Sequence, residues 1–424
     1  MKITSHPLVQ TLVNLRGNAR GAVFTEALWG IPYNLYAPYI SVYMLAFGLT
    51  DVQIGLIPTI SLVGQAFFAL LSGAITDKLG RKRTTFLFDA LSWSVPTLIW
   101  AVAQDFNYFV VAAVINSTWR ITHNSWSCVL VEDTDPDLLV DIYTWIYISG
   151  QLVVFFSPIA GVLINRFGLI PTMRGLYLFA CLLMTIKFIA MNAMVTETRQ
   201  GMVRMAETQG QSIFSMLGEY KGVFRQILAA PQTLTTLGIM LVMSIATMIN
   251  STFWAVLVTG KLRIPAEHLA LYPFARSIIM LTFFFLLIPR IRDMHFKNPM
   301  LIGFAGFVVS QALLISIPEK GYVLLLLSVL IETCSYAALG TQVDRMLVVT
   351  VEAKERARIL AILLLVQVAA TSPFGWIAGQ LSSINRNFPF ILNIVLFGIG
   401  ALLVLRASRL SRPNLPEVQP AGAD

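Results

Sequence analysis

Charged residues are scarce in this chain of 424 residues, of which Asp, Glu, Lys and Arg together make up 12%. A soluble domain carries about 25% charged residues, whereas 56% of this chain is hydrophobic. A sequence this apolar lacks the polar groups that would cover a folded surface in water. It suits lipid, where each backbone polar group must be paired within a helix or a closed barrel. The composition therefore excludes an ordinary soluble protein.

Cysteine is also scarce. The three cysteines are Cys128, Cys181 and Cys334, and all lie in apolar stretches. We interpret them as small buried side chains and not as a disulfide framework. The sequence contains no Walker loop, no metal-ligand spacing and no nucleophile–base arrangement. We therefore expect no metal, no cofactor and no enzymatic activity.

Long apolar runs take the place of charge. Phe283–Ile288 is continuous, and Phe67–Ile75 and Tyr322–Ile331 are interrupted only by small residues. Barrel strands would alternate in polarity over about ten residues, whereas a spanning helix needs about 20 apolar residues. The pattern predicts an all-α membrane protein with twelve transmembrane helices. Their predicted positions are residues 20–46, 52–76, 82–104, 108–131, 138–164, 173–195, 231–259, 267–289, 298–317, 322–344, 355–383 and 387–408.

The basic residues are distributed unevenly between the two predicted sides of the membrane. Of the 30 Lys and Arg residues, 21 fall on the side of the termini, six on the other side and three within spans. Cytoplasmic loops carry an excess of Lys and Arg. The count predicts a multi-pass protein of the cell membrane with both termini cytoplasmic. It also explains the net charge of +8 without a nucleic-acid partner.

The two halves of the chain repeat weakly at a shift of 212 to 216 residues. Asn34 corresponds to Asn250, and Pro58 corresponds to Pro273. Such repeats are expected in transporters that consist of two related bundles. We predict an N-terminal six-helix bundle at 1–195, a cytoplasmic linker at 196–230, a C-terminal six-helix bundle at 231–408 and a cytoplasmic tail at 409–424. Within the linker, Ser212–Leu228 is a candidate amphipathic surface helix.

The loop after the second predicted helix reads GAITDKLGRKR from Gly73 to Arg83. It resembles the signature loop of the major facilitator superfamily, G-x-x-x-D-[RK]-x-G-[RK]-[RK]. The resemblance implies a major facilitator fold, with two pseudo-symmetric six-helix bundles, and a gating role for this loop. Its gating residues are then Gly73, Asp77, Lys78, Gly80, Arg81 and Lys82.

Physical reasons accompany this resemblance. Gly80 permits a tight turn, Arg81 can pair with Asp77, and Asp77 can accept hydrogen bonds from a helix N-terminus in the other half. Such contacts would latch the halves together on the cytoplasmic side. The alternative is that the basic residues only set the topology. The equivalent loop of the second half, Pro289–Asp293, has lost the pattern.

Two further resemblances are partial. Proton-coupled members carry R-x-x-Q-G in helix 4, where this chain reads Arg120-Ile-Thr-His123-Asn124. Exporters carry G-P-x-x-G in helix 5, where this chain reads Ser157-Pro158-Ile-Ala-Gly161. The first departs at the glutamine and glycine, and the second only at the first glycine. The first resemblance concerns proton coupling, and the second favours export.

Six ionisable residues lie within predicted spans, where a charge costs at least about 2.5–3.5 kcal/mol and usually faces the bundle interior or a water-filled cavity. Arg120 and Glu332 occupy equivalent places in the two halves. They are predicted to pair across a central cavity or to bind a charged substrate in turn, and the alternative is a static ion pair. The six are Glu26, Asp89, Arg120, Lys187, Arg276 and Glu332.

The remaining candidates have mixed interpretations. His123 lies one turn from Arg120 and is either a proton relay or a packing residue. Glu26 is a proton-site candidate, and an anionic substrate group would suit Arg276. Lys187 is expected to extend to the cytoplasmic surface as a structural residue. Tyr33, Asn34 and Asn250 are predicted to line the cavity, because a buried amide needs partners.

These observations predict a monomeric secondary active transporter that moves a small organic solute by alternating access. Protons are the expected driving ion, carried by Glu332 or Glu26, and export is the favoured direction. The alternative within transport is uptake of a sugar or another polar metabolite. The alternative of another class is a non-transporting membrane sensor or a lipid scramblase. The expected partners are the solute, protons and the lipid bilayer.

Overall fold

The computed structural model describes residues 7–213, 231–286, 296–350 and 356–410. Within these ranges the secondary structure is helical and includes no strand. Nearly all of the predicted amphipathic helix at Ser212–Leu228, the loop Pro289–Asp293 and the tail beyond residue 410 lie outside the described residues.

The helices of the first half follow one another with short connections. They are α1 (Pro7–Asn14), α2 (Gly17–Tyr36), α3 (Ile40–Ala46), α4 (Asp51–Leu79), α5 (Arg81–Asp89), α6 (Val95–Ala101), α7 (Phe106–Asn116), α8 (Trp119–Val131), α9 (Leu139–Val153), α10 (Ser157–Phe167) and α11 (Leu169–Met194). A short helix, α12 (Arg199–Glu207), follows within the predicted linker.

The second half has fewer interruptions. Its helices are α13 (Pro231–Gly260), α14 (Leu271–Leu286), α15 (Lys297–Ser316), α16 (Tyr322–Thr350), α17 (Arg356–Thr371), α18 (Pro373–Ile384) and α19 (Phe388–Leu410).

Several predicted spans are bent, each by an identifiable cause. A 3-10 turn at Ala37–Tyr39 contains a proline and joins α2 to α3, and a π-helical turn at Ala90–Ser94 joins α5 to α6. Proline removes a backbone donor and forces the helix to bend. Pro158 and Pro373 accordingly stand at the second position of α10 and the first of α18.

Eight helical segments of the described residues are long and apolar enough to cross a membrane, as judged by length and composition alone. They are Asp51–Leu79, Pro136–Phe167, Leu169–Met194, Pro231–Gly260, Lys297–Ser316, Tyr322–Gly340, Ile362–Ile384 and Phe388–Arg409. The chain is therefore a multi-pass membrane protein. The count of twelve spans and the side on which the termini lie stay predictions.

Turn residues set the boundaries that the apolar pattern placed only roughly. Thr50 and Gln53 form a reciprocal capping box at the start of α4. Gly168 has a φ of 82°, so α11 begins at Leu169 and not at the predicted residue 173. The short helix α12 occupies part of the segment that the sequence assigned only to a linker.

Helices of the same half pack mainly against each other, with α2 along α11 and α9, and α19 along α13 and α15. Among the contacts between the halves are those of α4 with α18 and of α10 with α14. We call the end of the bundle with Gly80 and α12 the basic end, and the end where α10 meets α11 the opposite end. Both contacts lie toward the opposite end, because α4 begins there and α10 and α18 end there.

Candidate functional site

The Gly73–Arg83 loop makes a tight turn at the basic end. Gly80 has a φ of 84°, a left-handed conformation that favours glycine. A Cβ atom here would lie 2.5 Å from Glu197 Oε2, so the position also lacks room for a side chain. The predicted tight turn is confirmed. It carries the chain from α4 directly into α5.

Arg81 is the centre of a buried ionic network. Its side chain donates to Asp77 Oδ1 at 2.9 Å, which confirms the predicted pair. It also donates to Glu132 at the end of α8, from Nε at 3.1 and 3.2 Å and from Nη2 at 3.0 Å. Arg81 is 4% exposed. Because charge-assisted bonds to a buried guanidinium are strong, this network fixes α4, α5 and α8 together.

The linker completes the network. The carboxylate of Glu197 accepts the backbone N–H groups of Arg81 at 2.8 Å and Lys82 at 3.0 Å, and so caps α5. Arg204 of α12 donates to Asp77 Oδ2 at 2.9 and 3.1 Å. Hydrogen bonds to Asp77 raise the pKa of Arg204, so its guanidinium stays charged.

These contacts change the expected role of Asp77. In the part of the chain that the structure describes, its charged partners are Arg81 and Arg204, and neither belongs to the second half. A latch between Asp77 and the other half stays a prediction. Sequence reasoning missed Glu132, Glu197 and Arg204 as members of this site. The available signal was the cluster of charges at both ends of the segment 197–207.

A second charged group lies in the second half. Glu332 of α16 accepts from Arg276 Nη2 of α14 and from Asn250 Nδ2 of α13, both at 3.1 Å. Asn393 of α19 donates to Asn250 Oδ1 at 3.3 Å. Glu332 is buried, whereas the side chain of Arg276 is 45% exposed. Three helices of the second half therefore meet at one carboxylate, and α19 joins them through Asn250.

The predicted pairing of Glu332 with Arg120 is not what the structure shows. Glu332 is paired with Arg276, and the side chain of Arg120 makes no hydrogen bond or ion pair with any described residue. Its guanidinium lies 5.2 Å from the ring centroid of Trp119. The ring of His123 packs edge-on against the same Trp119 at 5.6 Å. Arg120 is nevertheless buried, with 8% of its surface exposed.

The third charged group lies inside the first half. Lys187 Nζ of α11 is 3.7 Å from Glu26 Oε2 of α2 and 3.8 Å from Asp89 Oδ2 of α5. The side chains of Lys187 and Asp89 are 5% and 6% exposed, and that of Glu26 is 21% exposed. The expectation that Lys187 extends to the surface is wrong, because two carboxylates within the bundle hold it. We call Glu26, Asp89 and Lys187 the triad.

The polar and aromatic residues of α2 do not all line open space. Tyr33 stacks on Trp29 at 4.8 Å and meets the edge of Trp93 at 6.0 Å. Asn34 donates to the carbonyl of Gly30 in its own helix at 2.8 Å, so its amide has a local partner. Tyr33 therefore packs on neighbouring rings and Asn34 bonds its own helix, whereas Asn250 binds Glu332; that the three residues line a cavity stays a prediction.

The contacts between the halves are close at the opposite end. A Cβ atom on Gly55 would lie 2.2 Å from the carbonyl oxygen of Gly375, so the backbones of α4 and α18 touch. Thr59 Oγ1 accepts the backbone N–H of Trp376 at 2.8 Å. Asp51 accepts from Ser382 Oγ at 2.6 Å.

The second contact between the halves repeats this arrangement. Ser157 Oγ donates to the carbonyl of Ala270 at 3.1 Å. A Cβ atom on Gly161 would lie 2.2 Å from the carbonyl oxygen of Glu267. The Ser157–Gly161 segment that resembles an exporter motif thus makes the contact of α10 with the start of α14.

A cavity of about 680 Å³ lies between α2, α10 and α11. Ile31, Leu163, Phe167 and Phe179 are among its lining residues. The hydroxyl of its polar member, Thr172, is taken by the carbonyl of Leu163 at 3.1 Å. A solute site needs a few convergent polar groups, so this apolar groove is not the candidate site. Among the described residues, no group of His, Cys, Asp and Glu could hold a metal ion.

Comparison with known proteins gives a consistent result. The profile of the Major Facilitator Superfamily matches residues 22–343. No protein of the curated collection matches the chain. Among solved structures, a mutant of the nucleoside transporter NupG aligns with a TM-score of 0.73 and 16% identity, over 93% of this chain and 100% of that one.

Two further solved structures have the same fold. A POT family transporter in complex with 5-aminolevulinic acid aligns with a TM-score of 0.70 and 12% identity, over 93% of this chain and 96% of that one. The human organic anion transporter MFSD10 (TETRAN) aligns with a TM-score of 0.64 and 14% identity, over 94% and 100% of the two chains. At these identities the likeness shows the fold alone.

Proposed function

The chain belongs to the major facilitator superfamily, and we propose that it is a proton-coupled transporter of a small organic solute. Membership makes it a transporter and not an enzyme. The proposed mechanism is alternating access, in which two bundles, residues 1–195 and 231–408, rock around a central site in the cell membrane. The basic end faces the cytoplasm in this proposal, and the contacts of Gly55 with Gly375 and of Gly161 with Glu267 close the opposite end.

The triad is the observation that carries the proton coupling. Two carboxylates, Glu26 and Asp89, share one ammonium group inside the first half. A buried charge without a counter-charge is costly, so two carboxylates facing one cation favour the uptake of one proton. Glu26 is the more exposed member and provides the entry for that proton. Glu332, the other predicted carrier, already accepts from two donors.

Export is the proposed direction. The Ser157–Gly161 segment supports it, because this exporter-like motif packs a glycine against the backbone of the other half. Uptake is the second candidate, and the unpaired Arg120 favours it. An anion on Arg120 and a proton on the triad would each remove an uncompensated charge, so the two would bind together.

A transport assay with imposed pH gradients tests coupling and direction together. A thermal-shift screen of solutes first identifies a ligand, which is then followed in proteoliposomes. One pH unit corresponds to about 1.36 kcal/mol, so one proton per solute should give about tenfold accumulation per unit. Accumulation in acidic vesicles indicates exchange and export, whereas accumulation from an acidic medium indicates symport and uptake.

The variant Glu26→Gln separates coupling from transport itself. It should abolish accumulation driven by the gradient and keep solute exchange at equal pH. The matched control is Glu319→Gln in the connection before α16, which makes the same change at an exposed carboxylate and leaves the triad and the contacts between the halves intact. Proton coupling would be refuted if solute accumulation by the wild type were the same with acidic vesicles, with an acidic medium and at equal pH.

A further inference from the structure

Arg120 stands apart from the other cations in the predicted spans. Lys187 has two carboxylates near it, and Arg276 is paired with Glu332 at 3.1 Å. Arg120 has neither a counter-ion nor a hydrogen-bond partner among the described residues, and its Nε is fully buried. An unpaired buried charge is costly. A position that keeps one therefore points to a ligand of the opposite charge.

The place of Arg120 on α8 shows where that ligand would come from. Asn124 of α8 donates to Thr76 on α4, and Ser125 accepts from Thr85 on α5. Trp126 packs in the cluster with Leu15 of the first half. With 100° between successive helical residues, the arc left between these contacts carries Arg120 and the exposed His123. Arg120 thus lies between Asn124, which contacts α4, and the exposed His123, so a ligand would reach it from the side of His123.

The chemistry of the Arg120 side chain indicates which class of ligand it would bind. A guanidinium presents its donors in a planar fork that matches the two oxygens of a carboxylate or phosphate. The guanidinium carbon of Arg120 lies over the Trp119 ring, 5.2 Å from its centroid, so the indole packs against the fork. His123 is a further donor on the same face, packed against the same ring.

We propose that Arg120 binds the oxyanion of the transported solute, which makes the substrate an organic anion with a carboxylate or phosphate group. This inference rests on the proposed function, because it assumes that a solute enters the bundle. The observations behind it do not involve the triad, but an organic anion as the substrate favours uptake, the second candidate direction, over export. It assigns recognition to the first half, whereas the Glu332 group of the second half has its charges already matched.

A binding assay without any gradient tests it. Purified protein is screened by thermal shift with matched pairs, aryl carboxylates against their neutral amides and aryl phosphates against the parent phenols. We expect acids to stabilise the wild type more than their neutral partners. Arg120→Gln should weaken that binding about 10- to 100-fold, as expected for the loss of charge-assisted hydrogen bonds. The affinity of Arg120→Lys for the acids should lie between those of the wild type and Arg120→Gln.

A second readout needs no ligand. Since the charge of Arg120 has no partner among the described residues, Arg120→Gln should leave the melting temperature of the empty protein unchanged or raise it. A structural arginine would do the reverse. The matched control is Arg166→Gln at the opposite end, where the guanidinium lies over Phe167 at 5.3 Å and is exposed. This control should bind the acids like the wild type.

The outcomes are distinct. The proposal is overturned if no acid exceeds its neutral partner, if Arg120→Gln retains full acid binding, or if it destabilises the empty protein by several degrees. Preference for carboxylates or for phosphates identifies which oxyanion is carried. Acid binding that depends on Arg120, with no transport in proteoliposomes, would refute the proposed function and leave only the anion-binding site at Arg120 standing. Transport of a neutral solute would do the opposite.

Discussion

Gly55→Ala should shift the balance between the two open forms of the protein. The wild-type contact leaves 2.2 Å between the position of a Cβ on Gly55 and the carbonyl oxygen of Gly375, whereas an ordinary contact is at least 3.4 Å. The added methyl group must therefore push α4 and α18 apart by about 1 Å. Because these two helices belong to different halves, the strain falls only on the form that is closed at the opposite end.

The expected magnitude follows from overpacking. Inserting a methyl group into a packed contact costs about 1–3 kcal/mol, which corresponds to a change of about 5- to 150-fold in the ratio of two states. Gly375 offers no relief, since a Cβ there would lie 2.6 Å from the carbonyl oxygen of Gly55. The form open at the opposite end should gain population by that factor.

Cysteine labelling from each side of the membrane measures this shift. The native Cys128, Cys181 and Cys334 are first replaced by serine, and Phe274→Cys serves as the reporter. Phe274 packs on Phe155 across the second contact between the halves, 5.1 Å between ring centroids. Its labelling by an impermeant maleimide from the opposite end should rise in Gly55→Ala. A reporter in a separate contact ensures that the whole opening is detected.

The control and the refuting result are equally defined. Gly398→Ala adds the same methyl group to α19, where nothing lies within 4 Å of the new atom. Both variants should elute as monodisperse protein, which excludes misfolding. If Gly55→Ala is then labelled no faster than Gly398→Ala, the closed contact seen here does not control access.

Three more variants test the charged groups. Lys187→Met leaves the buried Asp89 and the partly exposed Glu26 without their cation, and breaking a buried pair typically costs about 3–5 kcal/mol, so its melting temperature should fall well below that of Arg83→Gln, an exposed control. Glu332→Gln should lower the stability of the protein, because Arg276 loses its counter-charge, but transport should still respond to a pH gradient. Loss of that response would indicate that Glu332 carries the proton. Asp77→Asn removes the charge that holds Arg204, so trypsin should cut after Arg199 or Arg204 faster than in the wild type, and an unchanged rate would count against the role of α12.

The sequence predicted the features of this site that depend on local geometry. Arg81 follows Asp77 by four residues, and such a pair is adjacent on any helical path. Gly80 could be identified as a turn because only a residue without Cβ adopts its φ readily. The family resemblance rested on the same short segment. Each of these inferences needed no knowledge of which helices lie next to each other.

The incorrect predictions all concern partners that are distant in sequence. Glu332 and Arg120 occupy equivalent positions in the two halves, but the Glu332 carboxylate accepts from Arg276 of α14 instead. Lys187 lies seven residues before the end of α11, about 10 Å inside the helix. At that depth the ammonium group of Lys187 can either extend to the surface or pair with the two nearby carboxylates, and the carboxylates are closer. Sequence spacing alone contains neither the rotation nor the neighbouring helix.

The charges within the spans together bear on direction. Fully ionised, the six residues predicted to lie within spans sum to zero, but the triad has one negative charge in excess and Arg120 one positive charge that no described residue matches. Uncompensated charge within the membrane is unfavourable, so a proton on the triad and an oxyanion on Arg120 each remove one such charge. The doubly occupied protein is the state in which no charge among these six is left unmatched. If the substrate is an organic anion, solute and proton should therefore cross together, and accumulation should follow an acidic medium. Accumulation of an anion in acidic vesicles would mean that one of these two assignments is wrong.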